Sequence, residues 1–257
     1  MNGIVEIQIG QFLLVYLLLV VVLFIMKKCQ INQTKTLILA SVRMTVQLIL
    51  AGLVLTYIFK NPHPAFTLLY LTIMTVFAVH RVISRNRDIN KKFKIAIAIS
   101  LSFSGLCVVI FFICAVVGEN IFNPQYVIPI SGMVMGNAMT GTTLAVKTFR
   151  ESFSGQQNKI DALLNLGVTP KKILLPFMNT ALETALMPTL NTMLGMGVVT
   201  LPGMMTGQIL SGTLPSTAIL YQIAITISIC TAVCLSTFGS LYLGYKTLYD
   251  KKNQIKL

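Results

Sequence analysis

Ile7-Gln-Ile-Gly-Gln-Phe-Leu-Leu-Val-Tyr-Leu-Leu-Leu-Val-Val-Val-Leu-Phe-Ile-Met26 runs without a charge and is followed at once by Lys27-Lys28. A helix that crosses a bilayer needs about 20 predominantly apolar residues, and this stretch has that length. It reads as a membrane span closed by a basic loop. A cleaved secretion signal is not expected. A basic leader is missing, Glu6 precedes the stretch, and lysines stand where a small-residue cleavage site would be.

The same pattern recurs along the chain. Further apolar stretches cover about 36–59, 65–83, 95–117, 127–146, 173–200 and 215–245. The last two exceed a simple crossing and are expected to tilt or to extend beyond the hydrocarbon layer. The expected fold is all-α: a polytopic membrane protein with about seven transmembrane helices, forming one domain over 1–257. No soluble domain, linker or low-complexity tract interrupts it, and the two halves share no convincing repeat of the inverted-carrier kind.

Composition agrees. The chain is 55% hydrophobic and 11% charged, with mean hydropathy +0.79. A soluble domain of 257 residues cannot hide so much apolar surface. The formal charge of +13 invites a nucleic-acid reading, but the charges sit in short clusters between apolar runs. Lys27, Lys28 and Lys35 follow the first span. Arg81, Arg85, Arg87, Lys91, Lys92 and Lys94 follow the third. Lys147, Arg150, Lys159, Lys171 and Lys172 follow the fifth, and Lys246, Lys251, Lys252 and Lys256 form the tail. Only Lys60 falls in an alternate loop and only Arg43 lies well inside a span. Positive loops stay in the cytoplasm, so the N-terminus is expected outside and the C-terminus inside, in the cell (inner or plasma) membrane. Cys29, Cys107, Cys114, Cys230 and Cys234 form no CxxC pair. Cys230 and Cys234 are a helical turn apart, yet small buried hydrophobes fit them better than metal ligands.

The longest loop, about 147–172, is expected in the cytoplasm. Within it, Asn158 is placed to cap a helix and Asp161 to sit in its first turn, at the positive end of the dipole. Gly167 suits a left-handed stop, and Pro170 prevents resumption. Ile160, Leu163, Leu164 and Gly167 share one face. Such a helix either lies on the lipid interface or docks in a groove on a partner protein. The crisp stop favours the second. The residues expected to dock are Asp161, Ala162, Leu163, Leu164, Leu166, Gly167 and Pro170.

Arg43 and Glu183 are the charged side chains well inside spans, at a similar depth, and could pair. Intramembrane charges face partners or water-filled cavities. Gln47 lies a turn from Arg43 and extends a polar set with Asn137, Thr140, Asn179 and Asn191. Such amides also join helices without touching cargo. Methionines cluster at Met133, Met135 and Met139, at Met187, Met193 and Met196, and at Met204 and Met205. Thioethers suit Cu(I) better than Fe(II), but flexible packing in helices that must move is the favoured account of them. His63 and His80 are badly placed for a ligand cluster, so the identity of any metal ligands stays open. Gly132 and Gly136, then Gly203, Gly207 and Ser211, offer close-packing faces. Pro129, Pro176 and Pro188 are expected to bend their spans. Pro202-Gly203 is expected to form an outer turn or a re-entrant cap.

Two resemblances follow from these residues. Asp161-Ala162-Leu163-x-x-x-Gly167, followed by Ile173-Leu-Leu-Pro176, is similar to the Glu-Ala-Ala-x-x-x-Gly and Ile-x-Leu-Pro coupling motif of ABC-importer permeases, with shorter spacing. Over nearly the whole chain, Arg43-x-x-x-Gln47-Leu, Gly132-Met-Val-Met-Gly-Asn-Ala-Met139 and Leu201-Pro-Gly-Met-Met-Thr-Gly-Gln-Ile-Leu-Ser-Gly212 resemble the FetB-type iron-export permeases, related to plant aluminium-tolerance permeases. That resemblance implies an ABC permease working as a homodimer with two separate ATPase subunits. The candidates for the translocation path are Arg43, Gln47, Asn137, Thr140, Glu183, Met204, Met205 and Gln208. The chain has no Gly-Lys dipeptide and hence no GxxxxGK[ST] loop. ATP and Mg²⁺ are therefore expected on the partner, no cofactor on this chain, and no nucleic acid as partner. The alternatives are a motor-independent carrier or channel and an ABC permease for a non-metal solute. An intramembrane enzyme is disfavoured, because the spans hold neither paired carboxylates nor a nucleophile with a base.

Overall fold

The computed structural model describes residues 8–249. Glu6 and the tail lysines Lys251, Lys252 and Lys256 lie outside the described residues. The chain forms α1 (Ile9–Lys28), α2 (Thr34–Lys60), α3 (Pro64–Arg85), α4 (Lys91–Phe111), α5 (Pro124–Gly155), α6 (Gln157–Asn165), α7 (Pro170–Gly195), α8 (Gly203–Leu210) and α9 (Pro215–Tyr245). A π-helical stretch, Phe112–Val117, continues α4. Among the described residues no strand forms. Met196 and Thr200 make one isolated bridge in the turn after α7.

Four of these helices begin on a proline: Pro64, Pro124, Pro170 and Pro215. The first turn has no use for the missing N–H, and the fixed φ preorganises it. Pro129 in α5 and Pro176 and Pro188 in α7 each remove one backbone donor but end neither helix.

Five helices are long and apolar enough to cross a membrane: α1, α2, α3, α4 with its π-helical continuation, and α9. The long helices α5 and α7 (32 and 26 residues) carry more polar side chains and pack against each other and α9. The seven long helices coincide closely with the seven apolar stretches. The main departure is α5, which ends at Gly155 and not near 146, so much of the expected loop 147–172 is helical. Phe149 and Phe153 explain this: both are buried, with Phe149 against Phe93 at 6.3 Å between ring centres. The helix continues because its face is still covered. At the other end α7 stops at Gly195 and not at 200, where the chain turns at Gly197 in a left-handed conformation (φ 81°).

The core is the antiparallel packing of α4 on α9, with α5 alongside both and α3 and α7 flanking α5. Lipid tails are as apolar as leucine, so helices in a membrane join through close contact and polar links more than through hydrophobic drive. Small residues supply the contact. A Cβ at Gly244 would come within 2.5 Å of the Phe93 ring, and one at Gly239 within 2.9 Å of Ser100 Oγ. Polar links supply register. Asn90 caps α4 by accepting from the Phe93 N–H (2.7 Å) and donates through Nδ2 to the Thr247 carbonyl (3.1 Å). Thr142 on α5 donates to Ser236 on α9 (3.3 Å).

The pair α1 and α2 stands apart. Almost none of either helix is buried. The Tyr16 hydroxyl donates to Thr45 Oγ1 (2.5 Å), whose own proton goes to the Ser41 carbonyl (3.0 Å). Beyond that hairpin, α2 touches the bundle lightly at α5.

The contacts also order the two ends. Arg150 at the end of α5 pairs with Asp88 after α3 (2.8 Å), and Thr67 at the start of α3 donates to the Phe122 carbonyl before α5 (3.2 Å). One end therefore collects Arg85, Lys91, Lys147, Arg150 and Lys246 together with α6. The other carries Lys60 and α8.

The contact of Gly244 with Phe93 is testable. Gly244→Ala should destabilise the purified protein by about 1–3 kcal/mol through overpacking. Gly52→Ala, with nothing within 4 Å of its Cβ position, should not. Thermal unfolding in one detergent compares the two, and equal midpoints would contradict this account of the core.

Candidate functional site

α6 hangs at the basic end between α5 and α7. Asn158 is not its cap. The helix starts at Gln157, with Gln156 as N-cap and no side-chain capping bond, so Asp161 lies past the first turn. The reason is the brevity of the break. After Gly155 only Gln156 leaves helical geometry (φ −126°, ψ 28°), and the new helix begins before Asn158 is reached. The stop is as expected. Gly167 adopts φ 80°; its N–H bonds the Leu164 carbonyl (2.9 Å), and the Val168 N–H bonds that of Leu163 (3.0 Å). This is the Schellman arrangement, which only a residue tolerant of positive φ completes cheaply. Leu163 and Val168 both pack on the core beneath it, the apolar contact that accompanies the motif.

The face of α6 left exposed is not the apolar one expected to dock. Ile160 is buried (2% exposed), and Leu163 and Leu164 lie half-buried against the core. That apolar face holds α6 to its own bundle. The free face presents Asn158, Asp161, Ala162 and Asn165 at helical spacing, with Leu166 (79% exposed) and Gly167 at its tip. Of the residues expected to dock, Asp161, Ala162, Leu166 and Gly167 are exposed, whereas Pro170 is buried as the first residue of α7. A cavity of about 290 Å³, bordered by Lys159, Ile160, Lys172 and Phe177, lies between α6 and α7.

α7 runs directly from this joint into the bundle. Its buried side is Ile173, Leu174, Phe177, Met178, Ala181 and Ala185. Its outward side carries Asn179, Thr180, Glu183, Met187 and Asn191. On the neighbouring α5, Asn137 and Thr140 also point outward, donating to their own helix at the Met133 (2.8 Å) and Gly136 (2.9 Å) carbonyls. Gly141 on α5 stands level with Ala185 on α7, whose carbonyl would be 3.7 Å from a Cβ at Gly141. The polar sides of α5 and α7 therefore lie at overlapping depth, both turned away from the core.

Arg43 and Glu183 make no ion pair. Among the described residues the salt bridges are Lys147–Glu151 and Arg150–Asp88. The Arg43 guanidinium lies over the Phe77 ring of α3 at 5.9 Å, and Arg43, Gln47 and Glu183 are all exposed. Sharing a depth is not sharing a face, because α2 packs on α1 and touches α5, while α7 packs on α5 and α9.

The glycine- and methionine-rich stretch forms α8, capped by Pro202. It is stopped by Gly212 at φ 98°, with the same pair of bonds as α6: Gly212 N–H to Ile209 (3.0 Å) and Thr213 N–H to Gln208 (3.0 Å). Met204 packs on the core. Met205 lines a second cavity with Met196 and Gln222, and Gln208 Oε1 is buried without a hydrogen-bond partner. Sequence reasoning passed over Gln222. Its signal was an amide among Ile219, Leu220, Ile223 and Ile225 in an otherwise apolar turn. Among the described residues no group of three His, Cys, Asp or Glu side chains forms a metal centre.

Comparison with known proteins gives a consistent answer. Residues 9–249 match the model of the family described as "Uncharacterised protein family (UPF0014)". The chain is 32% identical over 251 residues to the UPF0014 membrane protein YjkA of Bacillus subtilis, covering 95% of this chain and 96% of the relative. It is 33% identical over 243 residues to the probable iron export permease protein FetB of Escherichia coli, covering 94% and 92%. It is 31% identical over 214 residues to the protein ALUMINUM SENSITIVE 3 of Arabidopsis thaliana, covering 83% and 77%. No solved structure matches. With the family pattern running through the hairpin, the packed bundle and both short helices, the chain belongs to the UPF0014 family of multi-pass membrane proteins.

Proposed function

We propose that this chain is the membrane-spanning permease subunit of an ATP-driven exporter of metal ions, with iron as the cargo class and ATP hydrolysed on a separate cytoplasmic subunit. The observation that carries the reading is α6. It is a short helix with a rigid stop, its apolar side spent on its own bundle, and its other side free at the end of the molecule where the basic residues gather. Leu166 at its tip is 79% exposed and available to a partner. The names of the Escherichia coli relative and of the aluminium-sensitivity relative support metal as the cargo.

The mechanism follows from the joint. The partner grips Asp161, Ala162, Asn165, Leu166 and Gly167. α6 is held to the core by Ile160 and passes through Val168 and Thr169 straight into α7, so displacement of α6 moves α7 as a lever. α7 carries Glu183 on its outward side, and α5 carries Asn137 and Thr140. A carboxylate facing lipid is costly, so these polar sides face a second copy, and the path runs between two copies of the chain. Arg43 and Gln47 on α2 face the same path. ATP binding on the motor favours one arrangement of α7 and product release the other, which is alternating access by population shift. The basic clusters support a cytoplasmic α6 and an external N-terminus.

Two measurements test this. Leu166→Asp and Gly167→Val should each lower co-purification with the cognate ATPase on the order of tenfold or more, as loss of a central contact does, while membrane insertion stays normal. Undiminished complex formation in both variants would remove the docking role. In vesicles holding the chain with its ATPase, iron movement should require ATP; equal flux with and without ATP would replace the exporter by a motor-independent carrier.

A further inference from the structure

We infer a soft-cation site at the end of the bundle remote from α6, formed by the thioethers of Met196 and Met205 and the side-chain oxygen of Gln222. As a binding site it stands on these donors alone and is independent of the permease reading above.

The three side chains line one cavity of about 330 Å³, between the turn after α7, the start of α8 and the second turn of α9. Gln222 is 8% exposed. Its Nε2 donates to Thr226 Oγ1 (3.0 Å), and the Thr226 hydroxyl donates to the Gln222 backbone carbonyl (2.7 Å). Gln222 Oε1 is left buried with no hydrogen-bond partner. A buried acceptor without a donor is costly, and a cation satisfies it as well as a proton does. Met196 Sδ sits 3.6 Å from Thr226 Oγ1, so the thioether is turned toward the same polar group. Met205 approaches from α8, whose entry is fixed by Pro202.

The donor set selects the ligand. Two neutral thioethers and an amide oxygen bring no charge, so they compensate poorly for stripping water from a divalent ion. Thioethers prefer soft, weakly hydrated monovalent ions, Cu(I) and its redox-stable analogue Ag(I), over Fe(II) or Mn(II). None of the three donors titrates near neutrality. Affinity at a histidine or cysteine site falls as the ligands protonate, whereas affinity here stays flat with pH.

The test uses the full chain in lipid nanodiscs. Its five cysteines, all free of disulfides in the structure, are replaced, because thiols would also take silver. Ag(I) is titrated against a competing chelator, and silver-edge X-ray absorption reports the coordinating atoms. Saturable uptake of one Ag(I) per chain, with sulfur in the coordination shell and an affinity unchanged from about pH 5.5 to 8, is expected. The M196L/M205L double variant should weaken binding on the order of tenfold or more, Q222L should weaken it less, and M26L, at the basic end of α1, should leave it unchanged. Leucine conserves volume, so a monodisperse M196L/M205L protein that still binds Ag(I) at full affinity would overturn the site. So would absence of saturable uptake, or affinity that collapses in acid. The measurement needs no ATPase, so its failure leaves the docking result on α6 untouched.

Discussion

The close antiparallel contact of α4 with α9 is what the other helices are arranged around. It is made possible by absent side chains. Gly244 admits the Phe93 ring and Gly239 admits Ser100, so two backbones approach closely where the bilayer provides little other reason to associate. Asn90 and Thr247 then lock one end by mutual hydrogen bonds. Once α4 and α9 are fixed, α5 has a groove to occupy, with Gly141 against Val233, and α3 and α7 have α5 to lean on. The outward polar sides of α5 and α7 are the remainder: positions this core does not need.

That remainder is connected to the basic end by an almost unbroken helical path. α5 passes Gly155, bends for one residue, becomes α6, turns at Gly167 and becomes α7 within a few residues. Rigid stops matter more than length in such a path. A flexible loop would dissipate a push, whereas a Schellman turn followed by proline at the first position of the next helix transmits it. α8 repeats the device at the opposite end, with Gly212 in the role of Gly167 and Pro215 in that of Pro170.

Much of this was legible beforehand because the bilayer imposes a simple grammar. Runs of about 20 apolar residues between basic loops located the seven long helices to within a few residues; only the polar-rich α5 ran well past its apolar stretch. Gly167 and Pro170 announced their turn through backbone chemistry that neighbours cannot override. What stayed hidden depends on which neighbour covers which face. The periodicity of Ile160, Leu163 and Leu164 showed that an apolar side exists and not whether it meets a partner or its own chain; the buried Ile160 answers that. Arg43 and Glu183 matched in depth, but helix neighbours decide facing, and the Phe77 ring took Arg43. Gln222 was invisible because one amide in an apolar turn has no periodic signature. Its cavity neighbours Met196 and Met205 come from the turn after α7 and from α8.

The sparse attachment of α1 and α2 has a consequence for biogenesis. Their hairpin is held by its own Tyr16–Thr45 link and touches later segments lightly, at α5 and at the Phe77 ring, so it can insert largely ahead of them. α4 has the opposite fate. Its main partner is the last long helix, so its glycine-matched face stays uncovered while everything from α5 to α8 is being synthesised. Assembly of the central pair is therefore a late, long-range closure. A nonsense mutation before α9 would leave an inserted protein that displays an unfinished seam to the quality-control proteases of the membrane.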